Sequence, residues 1–250
     1  MRKTLYIIAL AAAVCSCKKT PTQVEEAQPV IISLEQDEVT LFCGETKQVR
    51  INGTEAYCSA LAENEFVAWA SGGERTMEIY ASHVGTTKVV IECSEAENKD
   101  TCVVKVVPSS DYVGGVPALF GALKSDVKPN IDPSYIEGYT DTQRGCITYT
   151  YRYSGYFVAA RYYYDEQNRL IGIHKSINPE EDTETTAYIN IATSLSQYME
   201  TLTSGVSERL FSHPDGYYAA LYTPTLNNKL DVFYAKELND AKNHTFIKFH

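Results

Sequence analysis

The sequence predicts a β-sandwich followed by an α+β unit, in which one long helix packs on an antiparallel sheet. Three observations lead to this prediction. Residues 30–108 hold short β-rich runs separated by Gly, Asn and acidic turns. Beyond them the composition changes, because 16 of the 19 tyrosines lie between Tyr112 and Tyr234. Apolar residues then recur at helical spacing within residues 183–202.

The first unit is predicted to contain seven strands in about 80 residues, a density typical of β-sandwiches. Alternation of apolar and polar residues is weak in these runs, as expected for strands that are largely covered. The predicted strands are Val30–Leu34, Val39–Phe42, Lys47–Ile51, Phe66–Ala70, Thr76–Ala81, Thr86–Glu92 and Cys102–Val107.

Four segments of this unit carry a resemblance to a known family. They are Val39–Leu41 with the Gly44-Glu45-Thr46 turn, Val67–Ser71, Gly85–Val89 and Cys102–Val106. Their order resembles the bacterial Ig-like domains that are repeated in adhesins and in Bacteroides-type lipoproteins, and the resemblance covers residues 30–108. It implies a spacer or adhesion-type module with Trp69 as a core aromatic, and none of the matching positions is catalytic.

The second unit is predicted to follow a turn-rich junction at Pro108–Gly115 and to span residues 116–250. A three-stranded meander precedes a helix over Thr183–Leu202, which Gly205 ends, and the acidic run at 180–184 suits the start of that helix. Three more strands follow the helix. The six predicted strands are Cys146–Tyr153, Tyr156–Tyr164, Leu170–Lys175, Glu208–Ser212, Tyr217–Thr223 and Lys229–Ala235.

The N-terminus is predicted to be a secretion signal over residues 1–16. Met1-Arg2-Lys3 precedes an apolar stretch of about ten residues, half of the roughly 20 that a membrane-spanning helix needs. Val14-Cys15-Ser16-Cys17 resembles the lipobox of bacterial lipoproteins, which implies that Cys17 carries a lipid. Residues 17–29 then form a flexible tether. We therefore expect a cell-envelope protein that a lipid attaches to a membrane. The outer membrane is the first candidate, and the sequence leaves open whether the protein lies on its periplasmic or its surface face.

Charge and motifs exclude several classes of function. The net charge of −10 disfavours phosphate-rich partners, so nucleic acid is not an expected partner. The mature sequence carries no nucleophile elbow, phosphate loop, zinc pattern or calcium loop, and we predict neither a cofactor nor a metal site. Five histidines are scattered singly, which is typical of structural residues.

The cysteines after Cys17 suggest a disulfide, since an exported chain enters an oxidising compartment. Cys93 and Cys102 flank the polar connection Ser94–Thr101 between two predicted strands. Disulfide bridges and inert buried thiols are both open interpretations for these cysteines, and the candidate bridge that we predict joins Cys93 to Cys102 across this connection.

The tyrosines of the second unit are the strongest functional candidates. Five of them, Tyr149, Tyr151, Tyr153, Tyr162 and Tyr164, fall on two neighbouring predicted strands. Two interpretations stay open. The rings pack beneath the helix as core, or they form an exposed aromatic platform for a sugar ring or for a side chain of a partner protein.

The sequence as a whole favours a non-enzymatic envelope protein whose second unit binds a glycan or another envelope protein, with the first unit as spacer. One alternative is a polysaccharide hydrolase with paired carboxylates among Asp165, Glu166 and Asp215. Another is a structural component of an envelope or fimbrial assembly. A deep cleft with facing carboxylates would favour the hydrolase, an exposed aromatic face the binding protein, and an unpaired edge strand the assembly.

Overall fold

The computed structural model describes residues 28–113, 119–131, 133–153, 156–179, 182–205, 208–223 and 229–243. The predicted signal peptide (1–16), the predicted lipidation site Cys17 and nearly all of the predicted tether (17–29) lie outside the described residues. The described chain is mostly β-sheet, arranged in several sheets and consistent with a β-sandwich architecture.

Two four-stranded sheets form the first unit, with orders β1-β3-β6-β5 and β2-β8-β7-β4. Strands β2 and β8 pair in parallel, and the other neighbours pair antiparallel. The strands are β1 (Ser33–Leu34), β2 (Glu38–Phe42), β3 (Thr46–Asn52), β4 (Cys58–Ala62), β5 (Ala68–Ser71), β6 (Thr76–Ala81), β7 (Gly85–Cys93) and β8 (Lys99–Val107). Each of the seven predicted strands corresponds to one of these, and β4 was missed because its Ser and Ala residues do not favour strands.

The core of the first unit lies between its two sheets. On β3 the buried side chains are Val49 and Ile51, which alternate with exposed ones, and β6 and β7 show the same period of two. The predicted core aromatic does not lie there, which is a correction. Trp69 is 44 % exposed, because Ala68 takes the inward position on β5 and turns its neighbour outward.

The predicted disulfide was wrong, because Cys93 has a different partner. Cys93 is bonded to Cys58, which lies directly opposite it on β4. In the β7–β8 pairing Cys102 lies opposite Val89, four residues before Cys93, so those two cysteines do not face each other. Cys43, Cys102 and Cys146 are free thiols.

One eight-stranded antiparallel sheet, ordered β13-β14-β15-β16-β12-β11-β10-β9, organises the second unit. Its strands are β9 (Ile136–Asp141), β10 (Cys146–Tyr153), β11 (Tyr156–Tyr164), β12 (Leu170–Pro179), β13 (Glu200–Ser204), β14 (Glu208–His213), β15 (Tyr217–Tyr222) and β16 (Leu230–Ala235). Helix α2 (Glu184–Tyr198) contributes to the core on one face of the sheet, while α3 (Leu238–Asn243) packs on β15 and β16 at the other face. The short helix α1 (Lys124–Val127) precedes β9.

The long helix is shorter than predicted. It starts with Thr183, whose hydroxyl accepts a hydrogen bond from the Thr186 N–H at 3.3 Å, and it ends where Met199 takes an extended conformation. The following residues, predicted as its last turn, form β13 and pair with β14. Two β-branched threonines in this short segment, Thr201 and Thr203, favour a strand over a helix. The structure also adds β9, which precedes the first strand predicted for this unit.

The segment that joins the two units is fastened to α2. Gln197 of α2 accepts a hydrogen bond from the Ser109 N–H and donates one to the Ser110 carbonyl, both at 2.7 Å. The Val84 N–H of the first unit donates to the Gln197 carbonyl, also at 2.7 Å. The predicted junction at 108–115 is therefore hydrogen-bonded along its described part, and the division into domains stays a prediction.

Three of the five histidines lie in the described chain, and each has a structural contact. His83 stacks on Phe66 at 3.9 Å between ring centroids, and His213 meets the same Phe66 edge-on at 5.6 Å across the junction. Burial lowers the pKa of His213, and the nearby His83 acts in the same direction, whereas Asp215 opposes them. His174 stacks on Phe233, with ring centroids 4.4 Å apart, on the face of the eight-stranded sheet where α3 packs.

His174 belongs to a hydrogen-bonded group there. Its Nε2 lies 2.8 Å from Asp231 and its Nδ1 lies 3.4 Å from the Arg161 guanidinium, which can only donate. Nδ1 therefore accepts, and Nε2–H donates to the carboxylate. Burial acts to raise the pKa of Asp231, but hydrogen bonds from His174 and Ser176 outweigh it, so the pKa is lowered.

Candidate binding cleft

The predicted aromatic platform is not exposed, which corrects the functional interpretation of the tyrosines. Tyr149, Tyr151, Tyr162 and Tyr164 are all buried, with Tyr162 fully inaccessible. They belong to the core cluster that also includes apolar residues of α2. The side chain of the fifth candidate, Tyr153, lies outside the described residues.

The buried tyrosines contact one another closely. Tyr135 stacks on Tyr151 with ring centroids 3.7 Å apart, and Tyr149 meets Tyr162 edge-on at 5.3 Å. Burial raises the pKa values of Tyr151 and Tyr162, so both hydroxyls stay protonated. This arrangement agrees with the alternative that the rings serve as core.

A lysine lies within this aromatic core, which the sequence analysis did not anticipate. Lys175 on β12 is completely buried, and its Nζ donates to the Val113 carbonyl at 2.6 Å. The rings of Tyr151 and Tyr234 lie 5.9 and 5.8 Å from Nζ. Burial lowers its pKa to about 7, while Asp111 acts in the opposite direction.

We expect this lysine to make stability depend on pH. The folded-state pKa of Lys175, about 7, lies below the ordinary value of 10.5, so above pH 7 the unfolded chain binds more protons and stability rises with pH. Between pH 7 and 9 the gain should be about 2 kcal/mol. In urea unfolding, Lys175→Met should lack this rise and be at least as stable as the parent at pH 7. Equal pH profiles for the two proteins would show that Lys175 is not held in a dry core.

The structure provides a cleft of about 330 Å³ at one end of the eight-stranded sheet. Its walls come from three places that are distant in sequence. They are Lys124 of α1, the turn between β9 and β10, and the turn after β11. The lining residues are Lys124, 140–143, 145–147, 164–166 and Asn168. Tyr164 is the one predicted binding residue that borders this space.

Two aspartates shape the turns that form the cleft. Asp141 accepts hydrogen bonds from the backbone N–H groups of Gln143 and Arg144, both at 3.0 Å. Asp165 likewise accepts from the N–H groups of Gln167 and Arg169, at 2.9 and 2.8 Å. Such side-chain to backbone bonds are typical of tight turns and hold the loops in one conformation.

Glycine and asparagine complete these turns. Gly145 has a φ of +65°, and its carbonyl accepts from the Tyr164 N–H at 2.9 Å, which joins the two loops. A Cβ at position 145 would meet the Tyr164 carbonyl at 3.0 Å. Asn168 has a φ of 58°, a conformation that asparagine tolerates better than most residues. The cleft is thus built by turn residues. The spacing of these residues is visible in the sequence, but the sequence does not show that the two turns lie side by side.

The lining groups can form hydrogen bonds in both senses. Lys124, Gln143 and Asn168 can donate, whereas Asp141, Asp165 and Glu166 can accept, and Tyr164 adds an aromatic ring at the edge. A ligand with several hydroxyl groups matches this set, because each hydroxyl both donates and accepts.

Asp165 and Asp215, two of the carboxylates suggested for the hydrolase, are not arranged as a catalytic pair. Asp165 lies in the β11–β12 turn and Asp215 in the β14–β15 turn, three strand positions away across the sheet. At about 4.8 Å per strand this is roughly 14 Å, more than the approximately 6.5–9.5 Å at which inverting enzymes place two carboxyl groups.

The described part of the chain contains no group of three or more His, Cys, Asp or Glu side chains that could hold a metal ion. Among the same residues, no helix is long and apolar enough to span a membrane.

Comparisons with known proteins give only remote similarities. No protein-family profile and no curated protein matches the sequence. Domains 4 and 5 of the S-layer protein SbsC match with 16 % identity over 30 % of this chain and 50 % of theirs, at a TM-score of 0.27. SbsC domains 5–6 match with 12 % identity over 83 % of each chain, also at 0.27. The D00-D0 domain of intimin matches with 7 % identity over 83 % of this chain and 99 % of its own, at 0.25.

This chain therefore spans half the length of the first of these structures.

Proposed function

We propose that this chain is a lipid-anchored, non-enzymatic binding protein of the bacterial envelope. The Ig-like unit acts as spacer, and the second unit, which we interpret as α+β, takes a hydroxyl-rich ligand such as a glycan in the cleft beside Tyr164. The observation that carries this proposal is the set of lining groups. Three side chains that can donate and three carboxylates surround about 330 Å³ of space with a tyrosine at its edge.

The loops that hold these groups are preorganised, which supports binding. Asp141 and Asp165 each fasten their own turn through two backbone hydrogen bonds, and the Gly145 carbonyl joins the two turns. A ligand that enters such a cleft has little loop ordering to pay for, so weak polar contacts suffice for measurable affinity.

Assembly through strand edges is a second candidate function, favoured by one observation. Strands β9 and β13 lie at the two edges of the eight-stranded sheet, and β13 is exposed along its whole length. On β9, Ile136 and Tyr139 are each 70 % exposed. An exposed edge with apolar side chains can accept a strand from another chain. This candidate predicts oligomers in solution, whereas the glycan proposal does not require them.

The glycan proposal is tested by variants of the cleft. We expect Lys124→Ala and Gln143→Ala each to weaken binding to an immobilised neutral oligosaccharide about fivefold, because each removes about one hydrogen bond. Gln167→Ala is the matched control, since Gln167 is exposed in the turn after β11 but does not line the cleft. Binding that all three variants retain would rule out the cleft as the glycan site.

The anchor is tested at the predicted lipidation site. We expect the parent protein to partition into the detergent phase and Cys17→Ala to remain in the aqueous phase, since two acyl chains suffice for stable attachment. Mass spectrometry of the N-terminal peptide should show the added lipid. Equal partitioning of the two proteins would exclude a lipid on Cys17.

A further inference from the structure

An aromatic pair lies on the outer face of the first unit, on the sheet β1-β3-β6-β5. Trp69 is 44 % exposed, and its ring centroid lies 5.5 Å from that of Tyr80, with 32° between the planes. The two residues are directly opposite each other on β5 and β6. Both point away from the core, since their neighbours Ala68 and Ala81 are buried.

Polar residues surround this pair on the same face. Thr46 lies opposite Tyr80 on β3, so one row of the sheet reads Trp69, Tyr80 and Thr46. The next row, about 7 Å further along the strands, reads Ser71, Glu78 and Gln48. The face therefore presents two ring surfaces beside a row of hydrogen-bonding side chains.

This combination of aromatic rings and polar side chains suits a carbohydrate ligand better than a protein partner. A sugar ring has an apolar face of C–H groups that can lie on an aromatic ring, and its hydroxyls can bond to nearby amides, carboxylates and alcohols. Outside the two rings, this part of the face carries Thr, Ser, Glu and Gln, whereas the centre of a stable protein interface is largely apolar.

Charge narrows the choice of glycan. The chain has a net charge of −10, residues 30–108 contain more acidic than basic side chains, and Glu78 lies on the face itself. These charges repel a polyanionic saccharide and leave a neutral one unaffected. Strand β5, which carries Trp69, is an edge strand of its sheet.

We propose that the outer face of the first unit is a binding site for a neutral glycan, with Trp69 as the stacking residue, Tyr80 as the second ring, and Glu78 and Gln48 as hydrogen-bonding partners. The Ig-like unit is then more than a spacer. The site is separate from the cleft of the second unit, because none of its residues lines that cleft. The proposal stands whether or not the cleft binds sugar.

The experiment uses the fact that Trp69 is the only tryptophan in the sequence. The purified full chain is first applied to an array of neutral glycans, and any glycan that is retained is titrated while the tryptophan emission is followed. We expect a saturable change in emission with a neutral oligosaccharide and none with heparin, a polyanion. Tyr80→Ala should weaken the titration about fivefold, and Trp69→Ala should reduce retention on the array of the glycans that change the emission, while any binding in the cleft remains.

Controls separate this site from the rest of the protein. Tyr57→Ala removes an aromatic residue that is 64 % exposed but precedes β4 in the other sheet, and it should leave the titration unchanged. Gln143→Ala, which alters the cleft, should also leave it unchanged. An emission titration that is unchanged in this variant supports the glycan site at Trp69 even if the cleft does not bind sugar.

Two results would overturn the inference. The first is an array on which no neutral glycan is retained in a Trp69-dependent way. The second is a sedimentation-velocity experiment that finds the parent protein to be a dimer and the Trp69→Ala variant to be a monomer. The face would then be covered by a second copy of the chain.

Discussion

Tyr162→Ala should destabilise the second unit by about 3–5 kcal/mol, enough to unfold it or nearly so. Tyr162 is fully buried on β11, and its ring meets that of Tyr149 edge-on within the core that includes apolar residues of α2. Removing the ring leaves a cavity that the surrounding strands cannot fill. Urea unfolding followed by near-ultraviolet circular dichroism would measure the effect, because that signal comes from packed tyrosines.

Tyr162→Phe is the matched control. The Tyr162 hydroxyl is buried and has no hydrogen-bond partner among the described residues. Removing it should therefore be neutral or slightly stabilising, since a desolvated polar group disappears while the ring remains. If Tyr162→Ala stayed as stable as the parent, the ring would not be core and the exposed platform would have to be reconsidered.

Loss of the Cys58–Cys93 disulfide should cost about 4 kcal/mol. The bond joins residues 35 apart in sequence, on strands β4 and β7, and cross-linking a loop of that length restricts the unfolded chain by roughly this amount. We expect the double variant with Cys58→Ala and Cys93→Ala to unfold at a clearly lower urea concentration than the parent. Cys43→Ala is the control, because Cys43 is a free thiol and should have a small effect.

Peptide mapping under non-reducing conditions would identify the bridge directly. A Cys58–Cys93 peptide is the expected product. A Cys93–Cys102 peptide would contradict the structure and restore the bridge that was predicted from the polar connection between β7 and β8.

The strands of the first unit were predictable because β-branched residues and turn residues alternate along it. The two errors have local causes. Strand β4 is made of Cys, Ser, Ala and Leu, which carry little strand preference, and its pairing with β7 is what brings Cys58 to Cys93. Trp69 was assigned to the core because of the resemblance to Ig-like domains, but the phase of β5 is fixed by Ala68, which is completely buried.

Burial of the tyrosines could not be decided from the sequence, because neighbouring tyrosines point to opposite faces of β11. Tyr162 lies on the face of the sheet that α2 covers. Tyr163 lies in the cluster on the other face, where α3 packs. Both faces are covered at this point, so period-two analysis offers no exposed side. A prediction of exposure needed the positions of both helices.

Lys175 and the cleft escaped prediction for different reasons. Lys175 lies opposite the small Ala160 on one side and Val232 on the other, and only this strand order shows that a lysine occupies a core position. The cleft joins Lys124 to two turns that follow it by 16 or more residues. Asp165, Glu166 and Tyr164 were candidate residues in the sequence, but their position beside Asp141 and Gln143 depends on the fold.

The central claim, that the second unit binds a glycan and does not cut it, is tested most directly by the fate of the sugar. The purified full chain is titrated calorimetrically with a neutral oligosaccharide that it retains on an array, and the sugar is then recovered and weighed by mass spectrometry. We predict saturable binding that Gln143→Ala weakens and Gln167→Ala does not, with the sugar recovered at its original mass. Shortened products whose formation stops in Asp165→Asn would contradict the claim and establish a hydrolase.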